Sequence, residues 1–369
     1  MTPRERILAV MRGDPVDMVP LLIGGFAYRD KTGLANDPDP GKKEISERII
    51  DNTSYFEVVS SNINRYLVTP PQFIKEVKRE EKDDCIIITK EIETPKGNLT
   101  AITGQNPAAS TTWTIKYPVE SKEDIEKIRS VPWELPEGLE KFDPKSKGTD
   151  FDTRGIIYTN ISSPMVCVGG MMTYEYFLEL CALDLELVKE LSHQCMERIL
   201  DVVDFLLADR KIEYVWMGGC EWVTPPMASP MVYDELVQTY EKPLIDRIHE
   251  GEAIVHIHCH GNVGTTIEKV IERGGDFLEP VEPPPDGDIT FAEAKKIAAG
   301  RLTLGGNVEA RVLENESRDT VEKAARAAFE GGKERMVFKT TAGPINLLTP
   351  RMIENYHCLV DVWEELRSF

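Results

Sequence analysis

The sequence has no surplus of basic residues, no long apolar segment and no set of paired cysteines. Lysine and arginine total 43 against 63 aspartate and glutamate residues, a net charge of −20. This balance argues against nucleic acid or an anionic membrane as a partner. No apolar run reaches transmembrane length, and charges stand where a signal peptide has its apolar core. The seven cysteines are scattered, unlike a disulfide framework, so we expect a cytoplasmic protein.

The order of apolar segments predicts alternating strands and helices over most of the 369 residues. Short β-branched segments are typical of buried strands, and helical segments follow most of them. The predicted strands cover residues 19–23, 55–59, 155–161, 212–217, 253–258, 276–279, 301–305 and 335–339. Eight such units predict a (β/α)8 TIM barrel, with residues 1–369 as a single domain. A doubly wound sheet is the alternative, but Gly24-Gly25 is not the glycine-rich fingerprint of that fold.

Residues 84–118 have a different pattern, which predicts a small antiparallel β-hairpin insertion. β-branched runs there are separated by turn residues at Pro95–Asn98 and Gly104–Pro107, an arrangement typical of β-hairpins. We expect these hairpins to form a layer over one end of the barrel. Residues 26–46 are polar and rich in glycine and proline, and we expect a long loop there.

Several helix starts are marked by capping residues. Thr2 and Ser229 each precede a proline, as N-cap and first helical residue do. Thr265 and Thr290 are each followed three residues later by glutamate, the pattern of a capping box. A further helical region is predicted around 173–208, with apolar residues at 188, 191, 195, 199, 202 and 206.

The stretch Ile254–Asn262 holds three of the six histidines of the chain, His256, His258 and His260. Residues two apart in a strand share a face, so the three imidazoles are predicted to point one way and Cys259 the other. Because imidazole is a common ligand of zinc, this strand end predicts a metal site. The alternative is a polar strand end whose histidines are only hydrogen-bonded. The spacing leaves open which of these residues bind the metal.

Three neighbouring predicted strands deliver Glu221, the histidines and Glu279 to one rim, at the end of a barrel where active sites lie. Glu221 is predicted either to bind zinc or to hold the second nitrogen of a histidine. Glu279 is a weaker candidate ligand, and a solvated loop carboxylate is the alternative. Together with His258, these two glutamates are the predicted catalytic residues. Cys220 could supply a thiolate, but a small buried apolar residue is its more frequent role.

A substrate pocket is predicted from the aromatic residues Phe26, Tyr28 and Trp222 at the same rim. Core packing is the more frequent use of such side chains and is the alternative. Asn307 follows Gly305-Gly306, a segment whose backbone amides could bind a phosphate or carboxylate, although a turn explains it as well.

Several segments along nearly the whole chain resemble the uroporphyrinogen decarboxylase superfamily. They are TPRERxLA at residues 2–9, DxVP at 17–20, ETPxG at 93–97, HxHGN at 258–262 and LEPxEPPP at 278–285. The resemblance is closest to the branch that includes zinc-dependent, corrinoid-linked methyltransferases. It implies a (β/α)8 barrel and zinc. Since the chain has no visible corrinoid-binding domain, it also implies a separate corrinoid (cobalamin) protein as partner, and a homodimer is a further expectation.

Two places differ from the pattern of the family. Uroporphyrinogen decarboxylases have an arginine-rich segment after the first strand, suited to a polycarboxylate tetrapyrrole, whereas residues 24–30 here contain only Arg29. The methyltransferase branch has His-x-Cys at this strand end and a later cysteine, where this chain has His260 and Thr341. A site rich in histidine and glutamate suits oxygen or nitrogen donors better than a thiol.

The resemblance therefore implies methyl transfer from a small methylated substrate, such as a methyl ether or methylamine, to a corrinoid protein. Zinc bound by Glu221, His258 and His260 would polarise the heteroatom of the substrate. One alternative is a metal-free decarboxylase of a tetrapyrrole or another acid. A second is a non-catalytic barrel that binds a small molecule or a metal.

Overall fold

A computed structural model describes residues 1–82, 84–106 and 111–369 of the chain. In these residues, eight strands form one parallel sheet and four form a separate antiparallel sheet. The parallel strands are β1 (Leu21–Leu22), β2 (Tyr55–Val58), β7 (Gly155–Ser162), β8 (Tyr214–Gly218), β9 (Ile254–His258), β10 (Phe277–Glu279), β11 (Thr303–Val308) and β12 (Met336–Thr340). The antiparallel strands are β3 (Ile74–Lys82), β4 (Cys85–Ile92), β5 (Leu99–Asn106) and β6 (Thr111–Lys116).

The parallel strands follow the order β1-β12-β11-β10-β9-β8-β7-β2. The two strands at the edges, β1 and β2, are neighbours in the chain, which is the order of a TIM barrel. Within the described residues no hydrogen-bonded ladder joins β1 to β2. The expected (β/α)8 fold is therefore confirmed as an α/β, barrel-like curled sheet, and each of the eight predicted strands is present.

Helix α1 (Pro3–Arg12) closes the amino-terminal end of this sheet. Thr2 caps it through a capping box, and Gly13 ends it at a φ of 85°, as the sequence predicts. The helix packs on one apolar cluster whose strand members include Leu22, Phe56, Ile156, Tyr214, Ile254, Phe277 and Val337. Both edge strands, β1 and β2, contribute to this cluster. The sheet therefore curls until its two edges approach each other, and α1 covers one end of it. Fully burying one such side chain stabilises the fold by about 1.5–3 kcal/mol, so this end is an apolar floor.

The remaining helices lie against the sheet and against one another. They are α2 (Lys31–Ala35), α3 (Pro40–Ile49), α4 (Lys122–Arg129), α5 (Phe151–Arg154), α6 (Pro164–Gly169), α7 (Tyr174–Leu183), α8 (Leu185–Leu207), α9 (Pro230–Tyr233), α10 (Thr239–Glu250), α11 (Ile267–Arg273), α12 (Phe291–Ala298), α13 (Ala310–Asn315), α14 (Arg318–Ala327) and α15 (Pro350–Leu366). The apolar positions predicted between 188 and 206 are all buried on α8. Within the described ranges every helix is too short or too polar to cross a lipid bilayer.

The capping predictions had mixed outcomes. The capping box at Thr290 is confirmed as the start of α12. The box at Thr265 was wrong, because α11 begins at Ile267 after Thr266, whose side chain makes no cap bond. The long loop expected over 26–46 was also wrong in part, because it contains α2 and the start of α3. The caps of these two helices, Asp30 and Asp39, accept backbone N–H bonds from their first turns.

The insertion is antiparallel, as predicted, but it starts earlier than residue 84. Its strand order is β3-β4-β5-β6, and β3 was missed because its sequence is almost wholly charged and its side chains are exposed. Strand β5 continues through Gly104, where a turn was predicted. A Cβ at that position would lie 2.4 Å from Trp113, so the glycine lets the indole lie against the strand. Pro107, the end of that predicted turn, lies outside the described residues.

Candidate active site

The carboxyl ends of three neighbouring strands bring together the residues on which the sequence analysis focused. In register, Gly218 of β8 lies beside His258 of β9, and His258 lies beside Glu279 of β10. Alternation places His256 on the same interior face, two residues closer to the apolar floor. His256 and Glu279 are buried, whereas His258 is one-fifth exposed. The site therefore opens from a buried base towards a more exposed rim.

Glu279 is the centre of the buried part of the site. Its Oε1 lies 2.6 Å from Nδ1 of His258 and 2.9 Å from Nε2 of His256. Its Oε2 contacts the ammonium group of Lys339 on β12. Burial raises the pKa of Glu279, but the charge of Lys339 and the two histidines outweigh it and hold the pKa well below its ordinary value. Glu279 is thus an ionised carboxylate whose two oxygens are both engaged, and not a solvated loop residue.

His256 is a neutral, hydrogen-bonded residue of the interior. Its Nδ1 contacts the hydroxyl of Tyr214, and burial lowers its pKa to about 4. Candidate ligand atoms of His256, His258 and Glu279 lie within 4.8 Å of one another, close enough to hold a metal. However, both nitrogens of His256 have neighbours, and Lys339 already neutralises Glu279. A metal cation at this group would be repelled by the nearby ammonium of Lys339, which favours the more exposed imidazoles as the metal site.

His260 has a carboxylate partner of its own, Glu282. Nδ1 of His260 lies 2.8 Å from Oε1 of Glu282, whose other oxygen accepts the backbone N–H of Gly261 at 2.6 Å. This hydrogen bond to Glu282 raises the pKa of His260 despite its partial burial. His258 and His260 therefore both present Nδ1 to a glutamate. Their ring centroids are 4.6 Å apart and the rings are nearly perpendicular, at 84°.

This arrangement leaves Nε2 of His258 and His260 available as ligand atoms. In the part of the chain that the structure describes, neither Nε2 has a hydrogen-bond partner. A metal-binding histidine commonly donates its other ring N–H to a carboxylate, which sets the tautomer and the orientation of the ring. His258 and His260 could therefore hold a metal ion through two imidazoles, with Glu279 and Glu282 as the orienting carboxylates, and zinc at this place stays a prediction.

Glu221 lies beside this pair but is not grouped with it. It follows Gly219, which has a φ of 117°, and its Oε2 accepts the backbone N–H of Gly219 at 3.1 Å. In the described residues, the possible ligand atoms of Glu221, His258 and His260 do not all lie within 4.8 Å of one another. The second nitrogens of the two histidines are held by Glu279 and Glu282, so Glu221 does not have that predicted role. Its role as a zinc ligand stays a prediction.

The two cysteines near the site are buried and form a separate group with the partly exposed Glu221. Candidate ligand atoms of Cys220, Glu221 and Cys259 lie within 4.8 Å of one another, and both thiols are fully buried. The contact with Cys259, together with burial, raises the pKa of Cys220 well above its ordinary value. The guanidinium of Arg273 lies 3.9 Å from Sγ of Cys220. The charge of Arg273 lowers the pKa of this thiol, but the Cys259 contact and burial outweigh it, so Cys220 is a neutral buried thiol, as the apolar alternative predicts.

The predicted substrate-binding residues are dispersed. Phe26 is 2% exposed and packs on Tyr356 of α15 at 4.7 Å, which is the core-packing alternative. The hydroxyl of Tyr28 donates to Asp37 at 2.6 Å, and Trp222 meets Tyr174 edge-on. Substrate contact by Tyr28 and Trp222 stays a prediction.

Asn307 lies inside β11, not in a turn after it. It is in register with Lys339 of β12, so both residues belong to the interior face of the sheet. This places Asn307 beside the Glu279 cluster, and its contact with substrate stays a prediction.

Three residues of the site were missed by sequence reasoning. Glu282 is part of the proline-rich segment after β10, and only its spacing from Glu279 could have marked it. Lys339 is a single charge in an apolar strand, which is a usable signal. No signal in the sequence marks Tyr214 as a site residue, because aromatic residues are common in strands.

Comparison with known proteins identifies the family of this chain. The uroporphyrinogen decarboxylase (URO-D) family model matches residues 106–366, more than half of the chain. The chain belongs to this family. Among solved structures, this URO-D family chain is similar to a methyltransferase from Methanosarcina mazei, with 14% identity over 99% of each chain and a TM-score of 0.64. At that identity the similarity shows a shared fold.

Two further structural similarities are weaker. A B12-independent methionine synthase from a Shewanella species has 11% identity over 79% of this chain and 75% of its own, with a TM-score of 0.39. A muconate lactonizing enzyme from Pseudomonas putida has 11% identity over 79% and 76%, with a TM-score of 0.29. Neither bears on the fold. No curated protein sequence matches this chain.

Proposed function

We propose that this chain moves a methyl group between a small methylated substrate and a corrinoid carried by a separate protein, with zinc bound at His258 and His260. The URO-D family match and the fold shared with a methyltransferase support this class of reaction. The observation that carries the proposal is the paired arrangement of the two imidazoles, each with Nδ1 on a glutamate. A bound zinc ion supplies a Lewis acid for the heteroatom that carries the methyl group.

The surrounding residues prepare the two imidazoles for this role. Glu279 and Glu282 accept the Nδ1–H of His258 and His260, so both rings keep the tautomer with a free Nε2. Lys339 balances the buried charge of Glu279, and neutral His256 adds no charge beneath it. The apolar cluster around α1 excludes water from the base of the site. The chain thus holds its ligand atoms in place before substrate binds, which reduces the reorganisation needed for reaction.

Glu221 is the proposed third ligand. In the described residues the side chain of Glu221 makes one hydrogen bond, the one it accepts from Gly219, and it is partly exposed. A rotation of this side chain is therefore enough to change its position without disturbing the buried network. We expect Glu221→Gln to weaken metal binding less than loss of either imidazole, because two neutral nitrogen ligands remain.

Metal analysis combined with a methyl-transfer assay tests the proposal. Purified wild type is expected to contain zinc in stoichiometric amount and to methylate cob(I)alamin from a methyl ether or a methylamine in a donor panel. His258→Ala and His260→Ala are each expected to lose both properties. His193→Ala is the matched control, because His193 is an exposed histidine of α8, and it should retain both.

Three results would contradict the proposal. Unchanged zinc content in both histidine variants would remove this pair from the metal site. A metal-free preparation that decarboxylates a carboxylic acid would favour the decarboxylase alternative. Ligand binding without methyl transfer from any donor would favour a non-catalytic barrel.

A further inference from the structure

Glu309 lies at the rim of the sheet, close enough to Glu282 for the two carboxyl groups to interact, and has no role in the site described above. It follows β11 directly, and by alternation it shares the interior face with Gly305 and Asn307. Its Oε2 accepts a hydrogen bond from the hydroxyl of Thr341, the residue directly after β12, at 3.1 Å. Glu309 is only 6% exposed. A carboxylate is therefore buried at the mouth of the barrel-like sheet.

The second carboxylate oxygen of Glu309 lacks a partner. In the described residues, Oε1 is buried and accepts no hydrogen bond. Glu309 occupies the N-cap position of α13, yet its side chain makes no cap bond. Leaving a buried acceptor unsatisfied costs about 1–3 kcal/mol, and more when the group is charged. An oxygen held in this state at the mouth of a site is a candidate ligand-binding atom.

The charges around Glu309 favour a cation as that ligand. Burial raises the pKa of Glu309, and the nearby carboxylate of Glu282, which binds His260, raises it further, to about 7. The nearby cation Arg311 is paired with Asp286, and Lys339 is paired with Glu279. The charge of Arg311 lowers the pKa of Glu309, but among the ion pairs of the described residues none includes Glu309, so no cation contacts its carboxyl group directly.

We propose that Glu309, together with Glu282, binds an ammonium group of the substrate. The substrate would then carry a positive charge in addition to the methylated heteroatom that faces His258 and His260. This inference rests on the proposed function, and it narrows the substrate class from any small methyl ether or methylamine to a methylated compound with a separate ammonium group. The same carboxylates disfavour an anionic substrate, because its charge would be repelled at the mouth.

Three methyl ethers of similar size and different charge test this assignment. Methoxyethylammonium, methoxyethanol and methoxyacetate are titrated against zinc-loaded protein by isothermal calorimetry. The ammonium compound is expected to bind most tightly and methoxyacetate most weakly. In Glu309→Gln, which keeps the shape of the side chain, affinity for methoxyethylammonium should fall about 10-fold or more, the effect of losing a charge-assisted hydrogen bond. Affinity for methoxyethanol should change little.

Glu316→Gln is the matched control, because Glu316 is an exposed residue at the end of the same helix and the charge change is the same. It should leave all three affinities unchanged. Equal binding of the three ethers to wild type, or an unchanged affinity of Glu309→Gln for the ammonium compound, would overturn the assignment.

A parallel assay with cob(I)alamin separates this inference from the proposed function. Charge-selective binding without methyl transfer from any of the ethers would support the ammonium site and count against the methyltransferase. Methyl transfer at equal efficiency from the ammonium and the neutral ether would support the methyltransferase and refute the ammonium site.

Discussion

Replacing Glu279 by glutamine is the sharpest test of how the interior of the site is held together. The side chains of Glu279 and Lys339 are 4% and 15% exposed, so water screens their attraction poorly. Removing one partner of a buried ion pair leaves the other charge uncompensated and costs about 3–5 kcal/mol. Against a typical total stability of about 5–15 kcal/mol, that is a large loss. Glu279→Gln and Lys339→Met are each expected to show it in urea unfolding.

The double variant decides whether this reasoning is correct. Glu279→Gln combined with Lys339→Met leaves no unpaired charge, so its cost should be smaller than the sum of the two single costs. A coupling of about 0.5–3 kcal/mol is typical of residues in direct contact. Additive single costs would refute the buried pair. Asp246→Asn is the control, because it breaks an exposed pair with Lys242 at 53% and 55% exposure and should cost less than about 1 kcal/mol.

Glu279→Gln is also expected to change the affinity for zinc. Glu279 accepts the Nδ1–H of His258, and loss of such an orienting carboxylate commonly lowers metal affinity about 10–100-fold. Lys339→Met keeps the carboxylate and should weaken zinc binding less than Glu279→Gln does. Equal zinc affinity in wild type and Glu279→Gln would show that Glu279 does not orient a metal ligand.

Three other changes have expected outcomes in denaturant unfolding. Because the pKa of His256 falls to about 4 in the folded chain, only the unfolded chain takes up this proton as pH falls from about 6.5 to 4. The metal-free protein should therefore lose about 3 kcal/mol over that range, and His256→Gln should lose less. The contribution of Glu309 to the free energy of unfolding changes with pH in the opposite direction. Its pKa rises to about 7 in the folded chain, so this contribution is lost as pH increases from 4.5 through 7. Glu309→Gln should thus be more stable than wild type at pH 8, by up to about 3 kcal/mol, with little difference at pH 4.5. Met11→Ala in the apolar floor, where Met11 is fully buried, should cost about 2–5 kcal/mol with an unchanged m-value.

The order of the strands and the shared face of the histidines could be predicted from the sequence, because both depend on local periodicity. Alternation in β9 put His256 and His258 on one face, with His260 two residues further along the chain, and the rule for strand ends put them near Glu279. The predictions that failed were local as well. Strand β3 has no apolar face, and the pattern at Thr265 competes with a helix start two residues later. The periodicity of apolar residues predicts a helix or strand only where one face of that element is buried.

Tertiary structure decided which residue each functional group contacts. Glu279 and Lys339 lie 60 residues apart in the chain, and Tyr214 and His256 lie 42 apart, so no sequence window contains either pair. The histidine spacing therefore predicts a metal at a strand end, but it contains nothing to show that Glu279 and Glu282 each hold one imidazole. Strand register and burial determine those pairings, because a buried carboxylate must find its donors among whatever side chains neighbouring strands place within reach.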